Sequence, residues 1–188
     1  MLKFTKLNAI LLAMIVGLSV SCKEEEKKDE MEEPALTLYD RVGGTAMVSD
    51  PVNGGEIQQG RLTLRSVVDS AIFVIAADTR LQPYFTTLLG EVGNGDLSGF
   101  AALSESLTDF FVVATSEEQE GQYTGLNMVD AHNPDVNSRM DGRADDAAMD
   151  AFIEDVGVSL GKNGVSDQEL IGDLVDLLES VRSAVVQE

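Results

Sequence analysis

The sequence predicts an all-α domain, and three observations carry that expectation. Apolar residues recur at helical spacing in four stretches, strand-like alternation is scarce, and segments rich in glycine, aspartate and asparagine separate the stretches. The first stretch places Val68, Ile72, Ile75 and Ala76 on one face. The second carries Leu103, Leu107, Phe110, Phe111 and Ala114, each three, four or one position from the next, the spacing that lines one side of a helix. Met149, Phe152, Val156 and Leu160 form the third, with Asp145 and Asp146 at its start, where the helix dipole favours negative charge. Gly164 ends it, and Ser166-Asp167-Gln168-Glu169 reads as the cap of a fourth helix bearing Leu170, Leu174, Leu177, Leu178 and Val181. Long loops are expected near 49–60, 90–99 and 133–143.

The amino terminus has a different character. Lys3 and Lys6 precede a mostly apolar run from Leu7 to Val20, too short to span a bilayer and laid out like a secretory signal. Cys22, the single cysteine, follows Ser19-Val20-Ser21 in an arrangement that resembles a bacterial lipoprotein cleavage box, which implies that Cys22 becomes the acylated first residue. Residues 23–33, KEEEKKDEMEE, have almost no apolar content to bury and read as a solvated tether up to Pro34. The organisation expected is therefore a signal peptide over 1–21, an acidic tether over 22–34 and one domain over 35–188. The resemblance implies a location in the cell envelope, with the membrane as a partner through Cys22.

Charge excludes one class of partner. The chain carries −20, and loss of Lys3 and Lys6 with the signal takes this to −22. Such a field repels phosphate backbones, so nucleic-acid binding is not expected. Hydrolase chemistry is not expected: no nucleophile-elbow motif is read in the chain, and His132, the single histidine, is too few for a metal-protease helix. Asp135-x-Asn137-x-Arg139 is a poor calcium loop, because Arg139 takes a ligand position and Met140 the place that needs glycine.

Several segments, in order, resemble the truncated haemoglobins of the first group. Leu38-Tyr39-Asp40-Arg41-Val42-Gly43-Gly44 is similar to that family's short opening helix and Gly-Gly turn. Val67-Val68-Asp69 followed by Asp78-x-Arg80-Leu81-x-Pro83-Tyr84-Phe85 resembles its second helix and the corner after it, and Phe110-Phe111 its distal aromatic pair. Tyr123-Thr124-Gly125-x-x-Met128-x-x-Ala131-His132 resembles the stretch that ends in the iron-binding histidine. The resemblance implies a two-over-two helical sandwich with long loop insertions, holding haem b. His132 would be the iron ligand, Phe85 would pack on the porphyrin, and Phe111, Met128, Met149 and Phe152 would line the walls. Neutral imidazole is a strong axial donor for haem iron, and this chain offers one imidazole and no available thiolate.

The chain departs from the family on the distal side. Ile72 stands where a tyrosine is common, and Leu103 and Leu107 take the other two pocket positions, so no side chain there donates a hydrogen bond to a ligand. The chain also has insertions after Gly44, Phe85 and His132, and Ser116-Glu117-Glu118 replaces the family's second Gly-Gly. The function implied is binding of a small diatomic molecule such as O2, NO or CO, and redox turnover would need a reductase partner. The rival reading is a binding or structural lipoprotein that keeps the fold without the cofactor.

Overall fold

The computed structural model describes residues 35–116 and 123–188. The signal, the tether and Cys22 lie outside them, as does the Glu117-Glu118 replacement. Ala35–Glu188 forms one compact unit, mostly helical. Helix α1 (Leu38–Arg41) is short, and Thr37 and Asp40 cap it reciprocally, each side chain taking the other's backbone N–H. Gly43 and Gly44 follow at φ +128 and +61, conformations that side chains with a Cβ resist.

The stretch near 49–60, expected as a loop, holds a small hairpin. Strands β1 (Met47–Ser49) and β2 (Glu56–Gln58) pair antiparallel with Val48 opposite Ile57. Three residues per strand are too few to show alternation, and the glycine-rich turn dominates the pattern. Asp50 organises that turn: one carboxylate oxygen accepts from the Val52 and Asn53 backbone N–H groups at 2.9 and 3.2 Å. The same carboxylate takes both arms of Arg65 at 2.7 and 3.0 Å, which holds its pKa well below the usual range.

The central helix, α2 (Gln59–Ala77), lacks a side-chain cap. Its first donors are met by chain already in place, Gln59 N–H by the Ala46 carbonyl at 2.7 Å and Gly60 N–H by the Gly44 carbonyl at 2.9 Å. It buries Leu64, Val67, Val68, Ala71, Ile72 and Ile75 and packs on both α4 (Ser98–Thr115) and α6 (Asp146–Lys162). A 3-10 turn over Gln82–Phe85 leads into α3 (Thr86–Gly93), which takes part of the loop expected near 90–99. Short α5 (Met128–Ala131) precedes His132, and residues 133–143 form the irregular segment expected there.

Helix α6 begins at Asp145, whose side chain accepts from Ala148 N–H at 2.7 Å, and ends before Gly164 at φ +78. Asp167, rather than Ser166, caps α7 (Gln168–Ser180) by accepting from Glu169 and Leu170 N–H groups. Helix α7 buries Leu170, Leu174 and Leu178, and α8 (Arg182–Val185) returns the chain to α5 and α6. Among the described residues no helix is long and apolar enough to cross a membrane.

Two buried side-chain oxygens, Thr108 Oγ1 and Asp155 Oδ2, lack a hydrogen-bond partner among the described residues, and the carboxyl is the costlier. Asp155 on α6 is 5% exposed. Burial, reinforced by Asp78, raises its pKa. A carboxyl raised on folding destabilises the fold as pH climbs from its ordinary value of 3.8 through the folded one. Asp155→Asn is therefore expected to match the native protein's stability in acid and to exceed it by about 1 kcal/mol at neutral pH. Urea denaturation at both pH values measures that difference.

Candidate functional site

Helix α4 places its faces in an order that apolar periodicity does not reveal. Its buried residues include Ser104, Thr108, Phe111, Val112 and Thr115, a face rotated from the stripe of Leu103, Leu107 and Phe110. Ser104 Oγ donates to Asp69 of α2 at 2.5 Å, and Thr115 Oγ1 donates to the Phe111 carbonyl at 2.7 Å. The stripe itself is half-buried and borders cavities instead of filling the core.

Three cavities lie along this stripe. A cavity of about 70 Å³ is lined by Phe85, Phe110, Met128, His132, Met149 and Phe152, among others. A second, of about 280 Å³, shares Phe85, Met128, His132 and Met140 with the first and adds Leu103 and Leu107. The third, of about 100 Å³, is lined wholly by apolar side chains. It shares Phe85, Leu88, Leu103 and Leu107 with the second and reaches Ile72 and Phe73 of α2.

The sequence-derived site residues divide accordingly. Phe85, Leu103, Leu107, Met128, Met149, Phe152 and His132 line the two cavities that meet at the imidazole. Ile72 is buried in α2 and touches only the third. Phe111 lines none of them: it is 4% exposed in the core, and Phe110, edge-to-face with it at 5.4 Å between centroids, takes the cavity position. Tyr84, Met140, Ser106 and Tyr123 also reach the lining. Tyr84 and Tyr123 stand in the quoted motifs, whereas Ser106 and Met140 had no signal beyond their neighbours.

His132 is held by a local device. Asn127 caps α5 by accepting from Asp130 N–H at 3.0 Å, and His132 follows as the helix ends. Its Nδ1 lies 2.8 Å from the Met128 carbonyl oxygen. A carbonyl can only accept, so Nδ1 carries the proton and Nε2 keeps its lone pair. Burial lowers the imidazole pKa below its ordinary 6.5, against the opposing pull of the Met128 bond. At neutral pH the ring is therefore uncharged, half-buried and a competent single donor.

The segment after it is fixed at several points. Asn137 Nδ2 donates to the Ala131 carbonyl at 2.8 Å. Asp141 accepts from both the N–H and the hydroxyl of Thr87, each at 2.7 Å. Asp135 pairs with Arg143 at 2.6 Å, so the weak calcium-loop pattern is spent on internal bonds. Among the described residues no group of three or more His, Cys, Asp or Glu is arranged to hold a metal ion.

Gly157-Val158-Ser159-Leu160-Gly161 has the spacing of a nucleophile elbow. It lies within α6 rather than on a strand-to-helix turn, and Ser159 is 0% exposed with its hydroxyl on the Asp155 carbonyl. It is core packing.

Comparison with known proteins bears on the fold. No family model matches the chain. A solved truncated hemoglobin from Tetrahymena pyriformis, a point mutant in its Fe(III) form, superposes with a TM-score of 0.54 at 19% identity, covering 81% of this chain and all of that one. The architecture is thus a truncated-hemoglobin globin fold. Among curated proteins, 105 residues are 30% identical to a glutamate 5-kinase of Ectopseudomonas mendocina (strain ymp) and 28% identical to one of Stutzerimonas stutzeri (strain A1501). Each match takes in 56% of this chain, and the chain spans about a quarter of the length of these curated relatives.

Proposed function

We propose that this globin-fold chain holds haem b through His132 and binds a small diatomic molecule, O2, NO or CO. The observation that carries the reading is the set tautomer of a neutral, half-buried imidazole where two cavities meet, one of them almost wholly apolar. The donor set fits the group. One nitrogen donor among apolar walls suits a metal that brings its remaining ligands with it, and the bond from Nδ1 to a carbonyl is the support that orients a ligating histidine. When bound, haem would supply an iron centre able to take up a diatomic ligand.

The chain's own residues then have separate tasks. Met128 fixes the proton on Nδ1, and Phe85, Phe110, Met149 and Phe152 exclude water from the walls. The half-buried stripe of α4 supplies the apolar face across which a flat hydrophobic ring would lie. Leu103 and Leu107 offer a ligand no hydrogen bond, and the Tyr123 hydroxyl is already given to the Leu126 carbonyl at 2.6 Å. A diatomic ligand seated against Leu103 and Leu107, out of reach of Ser106 and Arg139 in the same lining, would be released quickly as O2, with CO and NO less affected. Leu107→Gln, which adds a donor at the lining, is expected to slow oxygen release about tenfold, the value of one hydrogen bond to a partly charged partner. Stopped-flow release kinetics measure it.

In this reading Cys22 is acylated and tethers the domain within the cell envelope, and redox turnover would draw on a separate reductase. Titration of the full chain with haem b, then reduction and addition of CO, tests the proposal. It expects a saturable Soret band at one equivalent that moves when CO is added. A spectrum indistinguishable from free haem at every ratio would refute it.

A further inference from the structure

Helix α5 is a single turn, Met128–Ala131, so no following turn supplies donors to its carbonyls. Each is met from outside the helix. The Met128 carbonyl faces Nδ1 of the His132 ring, and the Asp130 carbonyl accepts from the His132 and Asn133 backbone N–H groups. Side-chain amides from later in the chain meet the other two. Asn137 Nδ2 donates to the Ala131 carbonyl at 2.8 Å, and Gln187 Nε2 donates to the Val129 carbonyl at 2.8 Å and to the Ala184 carbonyl at 3.3 Å. Neither amide can be turned over. Gln187 Oε1 accepts from Arg143 Nη1 at 2.9 Å, and Asn137 Oδ1 accepts from the Arg139 backbone N–H at 3.1 Å. Both of those groups only donate, so each amide must present its nitrogen to α5. The backbone of Gln187 is held as well, its N–H donating to the Ala144 carbonyl at 3.0 Å beside the bridge between Ala144 and Val186.

A ring bonded to the Met128 carbonyl follows that carbonyl wherever α5 moves. We propose that Gln187 is a positioning residue for His132. By holding the neighbouring carbonyl of Val129, it fixes α5 and keeps the imidazole in one tautomer and one orientation. Asn137 borders the larger cavity as well, whereas Gln187 lines none of the three and acts only through α5. The inference rests on the haem reading above and adds to it a residue 58 positions from the carbonyl it holds.

Two variants of the full chain separate positioning from packing. Gln187→Glu keeps an acceptor for Arg143 but loses the donor to Val129, and Gln187→Met loses both. The metal-free chain is read first, by heteronuclear NMR of the nitrogens of its single imidazole. The native ring is expected in the Nδ1–H tautomer alone, and both variants as a mixture of the two tautomers. Haem b should then leave either variant about fivefold faster than the native chain, the scale of one hydrogen bond. Iron-free protoporphyrin IX, which needs no axial donor, should leave all three at one rate. A substitution that merely loosened the fold would release both porphyrins faster. Equal acceleration for the two porphyrins would therefore overturn the proposal. So would a Gln187→Glu variant that matches the native chain in haem release, or a native-like ring tautomer in either variant. Failure of the native chain to bind any porphyrin would refute the haem reading alone, because the ring tautomer is measured without porphyrin and still decides the role of Gln187.

Discussion

His132→Ala is expected to lower affinity for haem b at least a hundredfold, more than the loss of an outer-shell partner alone produces. The size follows from the donor inventory. No second histidine exists in the chain, and no cluster of His, Cys, Asp or Glu among the described residues offers a substitute. The methionines of the lining, Met128, Met140 and Met149, are softer and weaker donors. His132→Gly should behave in the same way until imidazole is added, when free imidazole in the vacated space restores the spectrum. A variant that merely misfolds would not respond to imidazole, so the pair of measurements separates ligation from packing.

Gly60→Val is expected to cost about 3 kcal/mol of folding stability, at the upper end for an overpacked interior. A Cβ at position 60 would stand 2.8 and 2.9 Å from two carbons of the Tyr39 ring and 3.1 Å from Gly44 N. Neither neighbour can yield easily. Tyr39 is 2% exposed and its hydroxyl donates to Gln58 Oε1, while Gly44 carries the turn that accepts the Gly60 N–H. Moving either would detach the hairpin and α1 from the first turn of α2, the helix on which α4 and α6 both rest. Thermal or urea unfolding gives the loss directly, and haem binding well below the unfolding transition serves as the check that the cavities are otherwise intact.

The longest helices were legible because their apolar periodicity is sustained over several turns. Leu170, Leu174 and Leu178 fell on one buried face, and the caps at Asp145 and Asp167 stood where acidic residues precede apolar repeats. Helix α3 and the hairpin were not legible, since eight residues with two glycines and two strands of three residues each leave too short a pattern. Residue-level error arose on α4. A stripe containing both Phe110 and Phe111 identifies the helix but not which aromatic meets the core, because adjacent residues differ by about 100° of rotation. Ser104 and Thr108, small and polar, face α2 closely, which turns Phe111 inward and leaves Phe110 to the cavity. Ile72 shows the same limit, since it shares a cavity with Leu103 and Leu107 but not with His132. The Arg139–Glu91 ion pair was not legible either, because 48 residues separate the partners.

Resonance Raman spectroscopy of the reduced, haem-loaded full chain addresses the bond on which the functional reading depends. An iron–imidazole stretching band is predicted in the native protein, absent from His132→Gly and returning with added imidazole. A haem-loaded native chain without that band, or a band untouched by the substitution, would contradict the assignment of His132 to the iron.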